Sequence, residues 1–247
     1  MNIKGGTVLI TGASKGIGNA LTKKLASDGV NTILVARSGH IMGEIVKGLP
    51  GGEDKHSYYE CDLTDAGQVK SLVKTINKDF EKIDVLVNCA GVGVYKPIEE
   101  VGLTDWDMSF NLNVRTPFLL IQGLQKLLGK STIALVINMG SGAGVIPMRG
   151  RSVYCATKFA LRGLSLSLAE EFAGTKTDIV LITLGSTLTG FGPLSIEKKH
   201  KENLNGKAYF TVEWVADALV NIIKSPVRKS EYVLYPGEYG LGAWDKP

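Results

Sequence analysis

The chain has 247 residues, 44% of them hydrophobic and 21% charged, with a formal net charge of +4. That balance describes a globular protein with room for a sizeable core and argues against a disordered or fibrous chain. The Lys and Arg residues are scattered and lack aromatic interleaving, which excludes a nucleic-acid surface; Cys61, Cys89 and Cys155 show no paired spacing and His40, His56 and His200 lie far apart, which excludes a disulfide framework and a zinc site and implies a reducing, cytoplasmic compartment.

Apolar runs of strand length alternate with helix-length segments along the whole chain. Met1 to Lys4 leads directly into a strand over Thr7 to Thr11, so no signal peptide is expected, and no apolar run approaches the ~18 residues of a membrane span. The strand ends in Thr11-Gly12-Ala13-Ser14-Lys15-Gly16-Ile17-Gly18, which opens a helix over Gly16 to Asp28. A glycine cluster by itself is only a tight turn. Placed between a first strand and a helix, it lets backbone amides and the positive end of the helix dipole approach a pyrophosphate.

The second strand, Thr32 to Ala36, ends at Arg37-Ser38 with no carboxylate for an adenosine ribose. Arg37, with Lys15 in the glycine turn, suits a ribose bearing a 2′-phosphate, although a surface arginine at a helix start is the plainer alternative. A short helical segment at about residues 40 to 49 precedes a third strand, His56 to Cys61, and a helix over Asp65 to Phe80. A fourth strand, Val85 to Asn88, runs into Cys89-Ala90-Gly91. One long helix is expected over Thr104 to Leu128, then a strand over Ile133 to Asn138 and a helix over Ser152 to Ala173. A sixth strand (Ile179 to Leu184), a long segment over residues 186–210, a helix (Val212 to Lys224) and a last strand (Tyr232 to Leu234) complete the chain. Near-continuous apolar strands alternating with helices predict an α/β fold, a doubly wound parallel sheet of about seven strands forming one domain over residues 1–247.

Tyr154 and Lys158 stand four residues apart in a predicted helix and therefore share a face. An ammonium beside a phenol favours the phenolate, which suits proton exchange, but a Y-x-x-x-K spacing alone is more often an amphipathic tyrosine beside a solvated lysine. Lys198, Lys199, His200 and Lys201 form a basic cluster, read as a solvated loop, with an anionic partner such as an acyl-carrier protein, coenzyme A or a membrane surface as the rival.

Taken with the glycine turn, Asn88-Cys89-Ala90-Gly91, and Ser141 thirteen residues before Tyr154, the sequence resembles the short-chain dehydrogenase/reductase family over nearly its whole length. The resemblance implies a Rossmann-like fold and the cofactor NADP(H). Gly12, Ser14, Lys15, Gly16, Ile17 and Gly18 would hold the phosphates and ribose, Arg37 the 2′-phosphate, Asp62 and Leu63 the adenine, and Asn88, Ala90 and Gly91 the pocket floor. Ser141, Tyr154 and Lys158 match the family's catalytic trio. Trp106 to Phe118 resembles its W-x6-N stretch, which makes Asn113, rather than Asn111, the fourth member. Gly185 and Thr189 stand near the nicotinamide, with Tyr154 and Lys158 also touching the cofactor. Three departures are visible: Cys89 replaces an Asn, Gly140 replaces a Ser, and Leu184 replaces a proline, which puts the backbone there in doubt.

The implied activity is reduction of a ketone or aldehyde, lipophilic or aromatic by preference, with Val94, Tyr95, Val145, Ile146, Met148, Phe191 and Leu194 as an apolar lining and a mobile substrate loop over residues 186–210. A 3-oxoacyl thioester reductase stays open because of the lysines, as does a non-catalytic NADP-binding regulator from another class. A nucleotide-sugar epimerase is disfavoured, since few residues follow the last helix. The helices Thr104 to Leu128 and Ser152 to Ala173 lie where the family pairs subunits, so a homodimer or homotetramer is expected.

Overall fold

A computed structural model describes residues 3–132 and 134–243. Seven parallel strands, β1 (Thr7–Thr11), β2 (Asn31–Ala36), β3 (His56–Glu60), β4 (Val85–Asn88), β5 (Leu135–Met139), β6 (Asp178–Leu184) and β7 (Glu231–Leu234), form one sheet in the order β3-β2-β1-β4-β5-β6-β7. The helices are α1 (Gly16–Ser27), α2 (Gly39–Lys47), α3 (Gly52–Lys55), α4 (Ala66–Asp79), α5 (Leu103–Phe110), α6 (Thr116–Leu128), α7 (Ser152–Glu171), α8 (Ile196–Leu204) and α9 (Val212–Lys224). The order reverses between β1 and β4, and a ligand crevice forms beyond the carboxyl ends of strands at such a reversal.

The strands read as unbroken apolar runs because both faces are covered. Val8 and Ile10 of β1 join Leu21 and Leu25 of α1 and Leu219 of α9 on one side; Leu9 joins Val69 and Ile76 of α4 and Leu120 and Leu124 of α6 on the other. Side chains thus alternate between two cores although the sequence shows no polar alternation.

Four sequence expectations change. The expected strand start at Ile133 lies outside the described residues, and β5 begins at Leu135. The single helix expected over Thr104 to Leu128 is interrupted by a π-helical turn at Asn111–Arg115. Pro117 accounts for it: an α-helical ladder requires an N–H at residue 117 to reach Asn113 O, and proline has none. The ladder lengthens instead, with Thr116 N donating to Asn111 O.

The segment 186–210, expected as a mobile loop, contains α8, and Thr187 bridges Phe210. The basic cluster is therefore helical rather than a solvated loop. Lys198, His200 and Lys201 are exposed, whereas Lys199 is buried and its Nζ donates to the carbonyls of Thr187, Thr189 (2.9 Å) and Phe191. One ammonium thereby gathers three carbonyls of an irregular segment, of which Thr187 O also accepts Thr189 N. Leu184 continues β6 in register with Leu234, so the strand runs straight on through this position, and the next amide, Gly185 N, donates to Leu234 O.

Candidate active site

The crevice is built from the β1 end outward. Thr11 Oγ1 accepts the amides of Cys89 and Ala90, both at 3.0 Å, tying the turn after β1 to the turn after β4. Gly12 has φ +69°, and a Cβ on it would fall 2.9 Å from Ala90 Cα; a Cβ on Gly18 would fall 2.5 Å from Gly12 O. Only glycine fits either position. Lys15 caps α1 without a side-chain hydrogen bond and no acidic residue occupies the first turn, which suits an anion at this helix start; of the first-turn amides, that of Gly18 faces the Cys89 thiol. Ser14 is half-buried, Ile17 packs on the core, and Thr189 reaches over the turn, its Cγ2 lying 3.8 Å from where a Gly16 Cβ would stand.

Beside the turn, Ala36 is buried while Arg37 and Lys15 are exposed; neither cation is ion-paired among the described residues. Glu60, which the sequence reading missed, sends its carboxylate to the amide of Gly39 at 3.2 Å. This carboxylate comes from β3 and stands beside the end of β2. The sequence carries no local signal for it, since it depends on β3 lying beside β2 with Ala36 paired to Glu60. Asp62 Oδ1 accepts the amide and hydroxyl of Thr64, and the carbonyls of Leu63 and Thr64 accept from Thr116 Oγ1 and Arg115 Nη2, which fixes the segment expected under the adenine.

On the floor, Asn88 Nδ2 donates to Asn138 Oδ1 (2.8 Å), leaving Asn88 Oδ1 buried without a partner. Burial pushes the Cys89 thiol up to about 11, so it is an inert packing group. A Cβ on Gly91 would lie 3.4 Å from Asn113 Oδ1 and 3.9 Å from Lys158 Nζ, so the absent side chain leaves a cradle beside the lysine. Glycine-only turns, uncapped helix amides and this cradle fit a dinucleotide. Gly185 continues the wall, its amide donating to Leu234 O at 2.8 Å.

The four expected catalytic residues converge at the ends of β4 and β5. Ser141 follows β5 and its Oγ accepts the amide of Ala143 (3.2 Å), while its hydroxyl acts on the Tyr154 phenol as a hydrogen-bonding neighbour that favours the ionised form. One turn along α7, Lys158 Nζ donates to Met139 O at 2.8 Å and stands 5.8 Å from the Tyr154 ring centroid. Asn113 is buried; its Oδ1 accepts Val92 N (2.9 Å), and its Nδ2 donates to Val92 O (2.8 Å) and Thr157 Oγ1 (3.0 Å). Both amide hydrogens are used, and Oδ1 holds one of the two donors it can accept. Asn111 contributes only its carbonyl, to Thr116.

Of the expected lining, Tyr95 and Phe191 flank Tyr154 with centroids at 5.7 and 5.8 Å, and Met148 packs with Tyr95 on the Ala143, Tyr154 and Cys155 cluster. Ile146 lies near Cys155 through its carbonyl. Val94 is buried, Val145 exposed and Leu194 half-buried, with no contact to Tyr154 recorded for these three.

The electrostatics differ from the simple lysine–tyrosine picture. Burial raises Tyr154 to about 12, against the opposing pull of the Ser141 hydrogen bond and the Arg151 charge. Burial also lowers Lys158 to about 8. Desolvation outweighs attraction between the pair, so at neutral pH the phenol holds its proton and the ammonium stands close to its titration point.

The short-chain dehydrogenase family model matches residues 6–199. A D-threitol dehydrogenase of Mycolicibacterium smegmatis is 32% identical over 77% of this chain and 73% of its own length. A 3-oxoacyl-acyl-carrier-protein reductase of Thermotoga maritima is 31% identical over 75% of each chain. Among solved structures, a blue fluorescent protein from a metagenomic library in complex with NADPH superposes with a TM-score of 0.83 at 26% identity, covering 96% of this chain and 99% of the other.

A lysine held near 8 in the folded chain and 10.5 outside it destabilises the protein fully below about pH 8, and that cost vanishes as the pH rises past 10.5. The penalty at pH 7 is on the order of 3 kcal/mol, offset in part by the hydrogen bond to Met139 O. Lys158→Met is therefore expected to raise the melting temperature of the cofactor-free protein at pH 7 by a few degrees and to lose that advantage near pH 10, measured by calorimetry at both pH values.

Proposed function

The chain belongs to the short-chain dehydrogenase family, and within it we propose an NADP(H)-dependent oxidoreductase that reduces a lipophilic or aromatic ketone or aldehyde to its alcohol. The observation that carries this reading is the convergence of Ser141, at the end of β5, with a buried Tyr154 and, one helical turn on, a buried Lys158 tied to Met139 O, beside a glycine-lined crevice. Arg37 and Lys15 support the phosphorylated cofactor, as does the NADPH held by the structural relative. When bound, the nicotinamide supplies the hydride to the carbonyl carbon.

The chain's own residues manage position and proton. Tyr154, protonated at neutral pH, donates a hydrogen bond to the carbonyl oxygen and then its proton to the alkoxide, while Ser141 holds the same oxygen. Lys158, near 8, is matched to return that proton from solvent, beside the Gly91 cradle it shares with the Asn113 side chain. Gly12 to Gly18 hold the pyrophosphate, and Thr189, whose Oγ1 already accepts Phe191 N, keeps its O–H free for the nicotinamide amide. Asp62 and Leu63 line the adenine. The aromatic walls Tyr95 and Phe191 favour an apolar substrate body. A 3-oxoacyl thioester remains the second reading, favoured by the exposed Lys198 and Lys201 on α8 and by the similarity to a 3-oxoacyl-acyl-carrier-protein reductase.

Three outcomes are expected. NADPH should exceed NADH in kcat/KM by roughly one to two decades, the scale of a charge-assisted phosphate contact, and Arg37→Asp should narrow or reverse the ratio; equal values in the wild type would refute the assignment. Tyr154→Phe should lower kcat at least ~10²-fold with little change in NADPH affinity, and near-normal turnover would place the proton donor elsewhere. Trp106, Phe118 and Phe159 expose apolar surface on α5, α6 and α7, so a homodimer or homotetramer is inferred; a monomer mass by light scattering at micromolar concentration would overturn it.

A further inference from the structure

Arg151 lies just ahead of α7, three residues before Tyr154, at the end of the turn that also carries Met148. It is half-buried. Its guanidinium stands over the Tyr95 ring, with the central carbon 5.7 Å from the centroid, and Nη1 approaches Met148 Sδ at 3.2 Å. The same Tyr95 ring packs 5.7 Å from Tyr154, so the cation sits one aromatic layer from the reacting hydroxyl. Among the described residues no carboxylate pairs with it. The nearby acid Asp105 is held by Lys96 at 2.8 Å, and Glu231, the acid that engages α7, is bound bidentately by Arg162.

Stacking on tyrosine and a weak contact to a thioether leave most of the five guanidinium donors unused. A partly desolvated cation held rigidly by an aromatic face, without a counter-ion, is arranged to receive one. Its charge also reaches the site: it is the charged side chain that acts on both Tyr95 and Tyr154.

We propose that Arg151 binds a carboxylate of the substrate, so that the carbonyl compound reduced here is an apolar or aromatic molecule with an anionic end. The apolar body lies between Tyr95 and Phe191 with its carbonyl at Ser141 and Tyr154, and the carboxylate meets the guanidinium. Arg151 is a specificity-determining residue. The proposal rests on the carbonyl-reduction reading for its choice of substrate, but the anion site itself is testable apart from turnover.

The experiment compares 4-carboxybenzaldehyde with its neutral methyl ester under NADPH, in the wild type, Arg151→Gln and Arg151→Lys. The wild type should favour the acid by at least about tenfold in kcat/KM, from a charge-assisted contact. Arg151→Gln should abolish that preference mainly through the KM of the acid, and Arg151→Lys should keep part of it. An acid-to-ester ratio in Arg151→Gln within about twofold of the wild type would overturn the proposal. Should the wild type reduce neither aldehyde, calorimetric titration of 4-carboxybenzyl alcohol into the NADP-saturated proteins decides separately. Binding at least about tenfold weaker in Arg151→Gln upholds the anion site, while equal affinities, or no binding to the wild type, reject it.

Discussion

The register of α7 against the sheet is the constraint on which the site depends. Three polar ties set it. Asn138 of β5 donates to Ser165 Oγ at 2.9 Å, Lys158 donates to Met139 O, and Asn113 of the π-turn donates to Thr157 Oγ1. Ser165 in turn donates to Leu161 O, and Asn88 of β4 joins the chain through Asn138. Apolar packing alone would tolerate a small slide of the helix. Buried hydrogen bonds would not, because each broken partner leaves a desolvated polar atom. Tyr154 and Lys158 are held at the strand ends by this network rather than by contacts of their own side chains with one another.

Holding them there has an electrostatic consequence. Burial acts on both groups in the direction of neutrality, raising the phenol and lowering the ammonium, so the cofactor-free site is least comfortable with charge where the chemistry requires it. The Ser141 hydrogen bond and the Arg151 charge act against burial on Tyr154. A protonated phenol and a lysine near its titration point are what the environment produces.

The crevice is shaped by similar opposition at its other end. Arg37 stands exposed at the end of β2 while Glu60 occupies the amide of Gly39 close by. The far wall is the segment containing α8, given form by the buried Lys199 and its three carbonyl acceptors. Phe191, on that same segment, reaches Tyr154 and is thereby positioned by Lys199, which accepts no part in the chemistry itself.

What could be read from the sequence was local in origin. Unbroken apolar runs imply strands covered on both faces, the glycines from Gly12 to Gly18 mark a backbone turn no other residue fits, and a four-residue spacing puts Tyr154 and Lys158 on one helical face. These follow from the geometry of short chain segments and survive folding unchanged. Tertiary structure decided what depends on distant segments and on solvent. Glu60 reaches α2 because β3 lies beside β2, Lys199 is buried because residues 187–191 fold back over it, and the two ionisable partners shift towards neutrality because water is excluded around both. The π-turn stands between the two kinds: Pro117 was visible, but that the ladder lengthens from Thr116 to Asn111 rather than breaking, with Asn113 inside the turn tied to Val92 and Thr157, appears only in the folded chain. A side chain's spacing is written in the chain, whereas its neighbours and its solvation are settled only when the chain has closed around it.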